Sequence, residues 1–217
     1  MNSEMRDTRH EIRKIAIIFC LASLVSCLAP AADCLKYKRL PSLEIKVPGF
    51  SVSVVQPERG LDLLHGNVVA TLAEEYEIEY GAEKASTGGW CVFIERVSAT
   101  IGYTNFVIQI DKRHEKDSCE FNAIKEHEDE HVRAHLSVIE DGKKDIKQGL
   151  IDAADSVLPV FAETEKDFDR AMEEMEGELE ARPEVKLLRQ KLAAEQEIRN
   201  KKIDLGDKGR RIRACEN

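Results

Sequence analysis

The chain has no excess of positive charge: its 41 Asp and Glu residues outnumber its 32 Lys and Arg residues, and the formal net charge is −9. A nucleic-acid partner needs a dense basic patch, and the sequence contains none, so this function is excluded. There is also no CxxC pair, the spacing on which cysteine zinc sites depend. The remaining composition, 42% hydrophobic and 34% charged, predicts one catalytic domain with an appendage, or at most two small domains.

Long apolar runs are missing except near the N-terminus. Four basic residues between Arg6 and Lys14 precede an uncharged run from Ile15 to Ala32, and this pattern predicts a signal peptide over residues 1–32. Leu24–Cys27 resembles a lipobox, which would attach the protein to a membrane through a lipidated Cys27, while Ala29–Ala31 suits ordinary cleavage. The alternative is an uncleaved anchor, because eighteen uncharged residues are borderline for spanning a bilayer. We therefore expect an exported protein, either periplasmic, envelope-associated or secreted.

Cysteine usage agrees with export, because either cleavage leaves an even number of cysteines for an oxidising compartment. Three pairings are possible, and the sequence does not choose among them. Cys91 and Cys119 flank a predicted hairpin, which favours their pairing. The four residues are Cys34, Cys91, Cys119 and Cys215.

Alternating apolar and polar residues predict strands in the first half of the chain. Residues 42–56 predict two short strands with a turn at Pro48-Gly49, and residues 77–80 predict another. Residues 66–75 are compatible with a short helix. Residues 91–110 alternate most clearly and predict a hairpin that turns between Ser98 and Gly102.

From Cys119 the apolar period becomes that of a helix, with Asp117 or Ser118 as its cap and Gly142 as its end. A second helix is predicted from Ile146 to Leu158. Residues 162–202 are rich in Glu, Lys and Arg and predict two amphipathic helices separated by Pro183. The organisation is therefore a catalytic domain over 33–160 and a charged helical extension over 161–217, whose helices offer a surface for a partner.

The predicted motif helix contains His127-Glu128-Asp129-Glu130-His131, a complete HExxH. Two histidines four residues apart share one helix face, so both imidazoles can reach one zinc ion. The intervening Glu128 then lies where it can take a proton from a metal-activated water. At about 100° per residue, Glu128 projects among the apolar residues, where a carboxylate needs a compensating cation.

A catalytic zinc site needs a third protein ligand. His135 continues the spacing, but residues i and i+8 of a helix are about 12 Å apart, so one ion cannot serve His127 and His135 together. The longer motif HExxHxxGxxH is excluded because Ala134 occupies its Gly position. An acidic ligand from the following helices would complete the site. The candidates, which the sequence does not resolve, are Asp145, Asp152, Asp155 and Glu163, with His65, His114 and His135 as alternatives.

A leader, a β-rich segment, a cysteine in a late strand and the HExxH helix together resemble the bacterial exported zinc-dependent proteases, a family formally described as a domain of unknown function. The matching stretch runs from Trp90 to Leu158. The resemblance implies an α+β, zincin-like fold with a small antiparallel sheet packed against the motif helix. It also implies His127 and His131 as zinc ligands and Glu128 as general base.

Two functions follow from these features. The first is an exported zinc metallopeptidase acting on peptides or proteins. The second is a non-catalytic cell-envelope protein or lipoprotein, whose histidine cluster is structural or stores metal and whose helical tail binds a partner. A di-iron centre would need a second Glu-x-x-His motif on another helix, and the mature chain has none.

Overall fold

The computed structural model describes residues 33–61 and 65–216. The predicted signal peptide and Cys27 lie outside these residues. The described part is an α+β fold, as predicted, in which helices follow and cover a five-stranded sheet. In chain order the elements are β1 Ser42–Lys46, β2 Ser51–Val55, β3 Gly66–Lys84, β4 Trp90–Ile110, α1 Cys119–Ser156, β5 Val160–Ala162, α2 Phe168–Ala181, α3 Pro183–Asp207 and α4 Arg210–Arg213.

β4 is the centre of the sheet and pairs with every other strand. β3 pairs with it antiparallel over its whole length. β5, β1 and β2 pair with successive parts of β4, around Cys91, Val97 and Val107. Since β3 occupies one edge of β4 throughout, these three short strands must share the opposite edge. β1 and β2 run parallel to β4, so the sheet is mixed and not the antiparallel sheet that was expected.

The predicted hairpin at 91–110 is wrong, because this segment is one continuous strand of 21 residues. The residues that suggested a turn have a different role. Gly102 lies under the chain between β1 and β2, and a Cβ there would be 2.7 Å from Pro48 Cδ. The small residue therefore permits a close crossing of two chain segments, and β4 does not reverse at this point.

The two short strands predicted in residues 42–56 are confirmed as β1 and β2. The helix suggested for residues 66–75 is wrong, because these residues form the first half of β3. Val68 and Ala70 pair with Ile108 and Phe106 of β4 and pack on the same apolar cluster. Burial against the neighbouring strand decides the conformation of a segment whose local preference is ambiguous.

α1 begins as predicted, since Ser118 Oγ accepts a hydrogen bond of 3.1 Å from Phe121 N–H. It does not end at Gly142. It continues through the second predicted helix to Ser156 and spans 38 residues. A Cβ at Gly142 would lie 3.3 Å from Leu192 Cδ2, so the missing side chain allows α3 to pack closely against α1. The break at Pro183 is confirmed, and Pro183 is the first residue of α3.

The C-terminal helices share the main core with the sheet. Met175 and Leu179 of α2 and Val185 of α3 are buried in the same cluster as Val97 of β4 and Leu150 of α1. A smaller cluster joins Phe106, Ile108 and Ile110 of β4 to Phe121, Ile124 and Val132 of α1. The charged segment after residue 160 therefore folds back along α1, where its polar side chains reach the motif.

Two disulfides connect Cys34 to Cys91 and Cys119 to Cys215. The favoured Cys91–Cys119 pairing is wrong, because these residues do not flank a hairpin: β4 carries the chain away from Cys91 before α1 begins. Two disulfides are typical of an oxidising compartment outside the cytosol. Within residues 33–61 and 65–216, no helix has the length and hydropathy needed to span a membrane.

Candidate metal centre

The inward face of α1 places the motif beside the smaller apolar cluster. Ile124 and Val132 are buried there, and Glu128 lies one turn from each of them. The helical repeat therefore points the Glu128 carboxylate inward, and only 5% of this residue is exposed. This confirms the inward orientation predicted from the helical projection.

The two motif histidines converge on a carboxylate from another helix. His127 Nε2 lies 3.2 Å from His131 Nε2. Asp204 Oδ1 of α3 lies 3.3 Å from the first of these atoms and 3.1 Å from the second. Tetrahedral ligands at about 2.0–2.1 Å from a zinc ion are about 3.3–3.4 Å apart. The three atoms therefore have the mutual spacing of ligands around one metal ion.

The outer nitrogen of each imidazole also has a partner on α3. His131 Nδ1 lies 3.0 Å from Asn200 Oδ1, which accepts a second hydrogen bond from Gln196 Nε2. His127 Nδ1 lies 3.4 Å from Asp207 Oδ2 and makes no hydrogen bond in the described residues. A proton on His131 Nδ1 satisfies the Asn200 oxygen and leaves His131 Nε2 with a free lone pair, and the negative charge of Asp207 favours the same tautomer in His127.

This tautomer assignment leaves three electron-rich atoms facing one another. In this tautomer two imidazole lone pairs and the Asp204 oxygen lie within 3.3 Å of one another, and a cation bound between them would relieve their repulsion. Nitrogen and carboxylate ligands in this number suit Zn²⁺, which uses three protein ligands in catalytic sites and leaves a fourth position open. The residues present therefore fit a zinc ion.

Glu128 is held against the first residue of β3. Burial raises the pKa of Glu128 to about 7, an effect that His131 opposes and the negative charge of Asp204 reinforces. A Cβ at Gly66 would lie 2.6 Å from both Glu128 Oε1 and Ile124 Cγ2. Gly66 thus provides the space that the carboxylate occupies.

The converging atoms line a cavity of about 470 Å³ between α1, the start of β3 and the C-terminal helices. Gly66 and Val68 form its β3 side. Asp204, Asp207 and Lys208 form the side of the C-terminal helices. The cavity is large enough for a few side chains of a peptide, and Asp204 on its wall is exposed to solvent.

The structure places the other sequence candidates away from this cluster. Asp152 accepts a hydrogen bond from Gln148 on α1, and Asp155 lies 3.6 Å from Lys38 Nζ. Glu163 and Asp145 are exposed. His65 and His114 bind each other, with 3.0 Å between His65 Nδ1 and His114 Nε2. His135 lines the cavity one turn beyond His131 but does not join the converging atoms.

The motif spacing does not predict Asp204, because this residue lies in the charged segment that the sequence pattern separates from the motif as a C-terminal extension. The nearest signal in the sequence is a polar series at helical spacing in α3, where Gln196, Asn200 and Asp204 repeat every four residues and Asp207 follows. Side chains at these spacings share one helix face. The side chains of this face are short and either uncharged or acidic, although the helix is rich in lysine. Such a face indicates a specific polar partner.

Removing the Cys119–Cys215 disulfide is expected to weaken metal binding as well as stability. This disulfide joins the start of α1 to the segment that follows Asp204 and Asp207. The Cys119→Ser/Cys215→Ser protein should lose about 2–5 kcal/mol of unfolding free energy. Its zinc affinity, measured by competition with a chromophoric chelator, should fall because α3 is less firmly held against α1.

The Cys34→Ser/Cys91→Ser protein is the matched control, since that disulfide lies in a different cluster, with Ala85. We expect it to lose stability but to keep its zinc affinity. Equal losses of zinc affinity in both proteins would contradict a specific link between the Cys119–Cys215 disulfide and the metal centre.

Comparisons of this chain with protein-family models, with curated proteins and with solved structures find no match.

Proposed function

We propose that this protein is an exported zinc-dependent metallopeptidase. The observation that carries the proposal is the convergence of His127 Nε2, His131 Nε2 and Asp204 Oδ1 within 3.3 Å, next to the buried carboxylate of Glu128. The two disulfides support export to an oxidising compartment.

His127, His131 and Asp204 would hold the metal, while Asn200 orients the His131 imidazole and the Asp207 carboxylate lies 3.4 Å from His127 Nδ1. When bound, zinc would supply a Lewis acid that polarises a carbonyl and lowers the pKa of water toward 7. The protein's own contribution is to fix these ligands on two packed helices, so that the geometry exists before substrate arrives.

Glu128 is the general base of the proposed reaction. Its carboxylate takes a proton from the attacking water as the new C–O bond forms and the carbonyl oxygen becomes an oxyanion. The C–N bond then breaks, and Glu128 returns the same proton to the departing amine nitrogen. A carboxyl group whose pKa is raised to about 7 by burial can both accept and return a proton near neutral pH.

The cavity suits an extended peptide. Gly66 and Val68 at the start of β3 line it, and in the described residues the outer edge of β3 pairs with no other strand. An extended substrate could add to this edge through backbone hydrogen bonds, which recognise a peptide without regard to its sequence.

The test begins with the purified mature protein and measures its zinc content and its hydrolysis of a fluorescence-quenched peptide library. We expect one zinc ion per chain, cleavage that stops after chelation, and recovery when zinc is added back. One bound zinc without any cleavage would reject the peptidase and support the metal-storing alternative. Failure to bind zinc would reject both.

Gly66→Ala is expected to lower kcat/KM about 10²-fold without loss of zinc. The new methyl group must displace the Glu128 carboxylate, whose Oε1 lies 2.6 Å from its position, while the metal ligands are untouched. Peptide hydrolysis and zinc content measured together separate these effects. Gly149→Ala is the control, because its Cβ meets nothing within 4 Å, and activity should be unchanged. Unaltered hydrolysis in Gly66→Ala would show that Glu128 does not need its present position.

A further inference from the structure

His135 is a cavity residue for which the proposed reaction has so far given no role. It lies one helical turn after His131, about 6 Å further along the axis of α1. Its ring meets Tyr103 edge to face, with 4.7 Å between centroids, and lies 5.9 Å from the ring of Phe106. These contacts with β4 hold the imidazole in one orientation.

The two ring nitrogens of His135 have different surroundings. Nδ1 is buried and has no hydrogen-bond partner in the described residues, while the residue lines the cavity. A buried N–H without an acceptor is costly, so the single proton of a neutral ring belongs on Nε2. Burial and the proximity of His131 lower the pKa of His135 to about 4, which keeps the ring neutral at pH 7.

We propose that His135 Nε2–H donates a hydrogen bond to the oxyanion that forms when water adds to the substrate carbonyl. This role rests on the proposed peptidase function and adds a second catalytic residue to it. A fixed donor on the cavity wall, beside the metal ligands, stabilises negative charge that exists only in the transition state.

The role differs from that of Glu128 because no proton is transferred. His135 is neutral before and after the step, keeps its Nε2 proton throughout, and contributes only a hydrogen bond. The proton of the attacking water still passes to Glu128 and then to the amine nitrogen. Tyr103 does not fill this role, because it contacts the His135 ring edge to face and does not line the cavity.

The first test replaces His135 with phenylalanine, whose ring can keep the contacts with Tyr103 and Phe106. For the zinc-loaded protein, His135→Phe is expected to lower kcat about 10²–10³-fold, with little change in KM and none in zinc content. His135→Gln offers an amide donor and should recover part of the lost rate. It also serves as a second variant if the phenylalanine protein folds poorly.

The second test does not depend on activity. Nitrogen-15 NMR of the metal-free full-length mature protein should show His135 with its proton on Nε2 at pH 7. A phosphonate dipeptide analogue, which mimics the tetrahedral oxyanion, should bind zinc-loaded His135→Phe more weakly than wild type by about the factor lost in kcat/KM.

The possible results separate the role of His135 from the peptidase function. An Nδ1–H tautomer, an unchanged kcat in His135→Phe, or a change confined to KM would overturn the role of His135 alone and leave the peptidase standing. A wild-type protein that binds zinc but cleaves no peptide and does not bind the phosphonate would overturn the peptidase and this role together.

Discussion

Glu128→Gln is expected to lower kcat by about 10²–10⁴-fold while the protein keeps one zinc ion. Glutamine has nearly the same shape as glutamate, so it can occupy the space beside Gly66 and Ile124 without displacing them. It cannot accept a proton from the attacking water. Because the position is 5% exposed, a neutral amide also avoids the desolvation that disfavours the carboxylate, and we expect no loss of folding stability.

Zinc content, melting temperature and hydrolysis of the best peptide substrate measure the three parts of this prediction. Glu126→Gln is the matched control, since Glu126 lies on the same turn of α1 but is exposed. Its activity should equal that of wild type. If Glu128→Gln hydrolysed peptides at the wild-type rate, Glu128 would have to be removed from the mechanism.

Asp204→Ala is expected to lower zinc affinity by more than about 100-fold, a larger loss than the 10–100-fold typical of residues that only orient a ligand. It removes the one converging atom that comes from α3, and the two histidines of α1 alone provide only two ligands. Zinc should then raise the melting temperature of wild type much more than that of the variant, because stabilisation by a ligand follows its affinity.

Two further variants provide reference values for the loss of zinc affinity in Asp204→Ala. Asn200→Ala removes only the oxygen that accepts from His131 Nδ1, so its loss of zinc affinity should fall within 10–100-fold. Glu197→Gln changes an acidic residue of α3 that pairs with Lys201 away from the cluster, and zinc affinity should be unchanged. A zinc affinity of Asp204→Ala equal to that of Glu197→Gln would place the third ligand elsewhere.

Local periodicity was sufficient to predict the elements that carry the motif. The apolar spacing around Glu128 predicted a helix with this carboxylate on its inward side, and the cap at Ser118 is where the hydrogen-bonding chemistry of serine places it. Proline at 183 separated two helices because its ring cannot continue a helical hydrogen-bond ladder. These features depend on residues within a few positions of one another.

The errors concern contacts between residues distant in the sequence. Gly102 resembled a turn residue, but its small size serves a crossing with Pro48, 54 positions earlier. Gly142 resembled a helix end, but it admits Leu192 of α3. A glycine has the same local signature whether the chain turns or another segment approaches, so these cases could not be separated before the tertiary packing was known.

The proposed third ligand could not be predicted for the same reason. Asp204 lies 73 residues after His131, and no spacing rule connects two helices whose relative position depends on the whole core. The predicted Cys91–Cys119 disulfide is wrong for a related reason. The two disulfides join residues further apart in the sequence, because their partners depend on the course of β4 and on the return of α3 along α1.

The proposed zinc site is formed by two helices that are distant in the sequence. This arrangement determines at which stage of folding the protein could bind the ion. During synthesis or passage across a membrane, both histidines emerge well before Asp204, and they remain an incomplete pair until α3 docks on α1. Tight metal capture at the proposed site would therefore be a late event that requires an almost fully folded polypeptide. If the protein is the proposed peptidase, a nascent or unfolded copy would hold zinc weakly and would not hydrolyse the proteins around it.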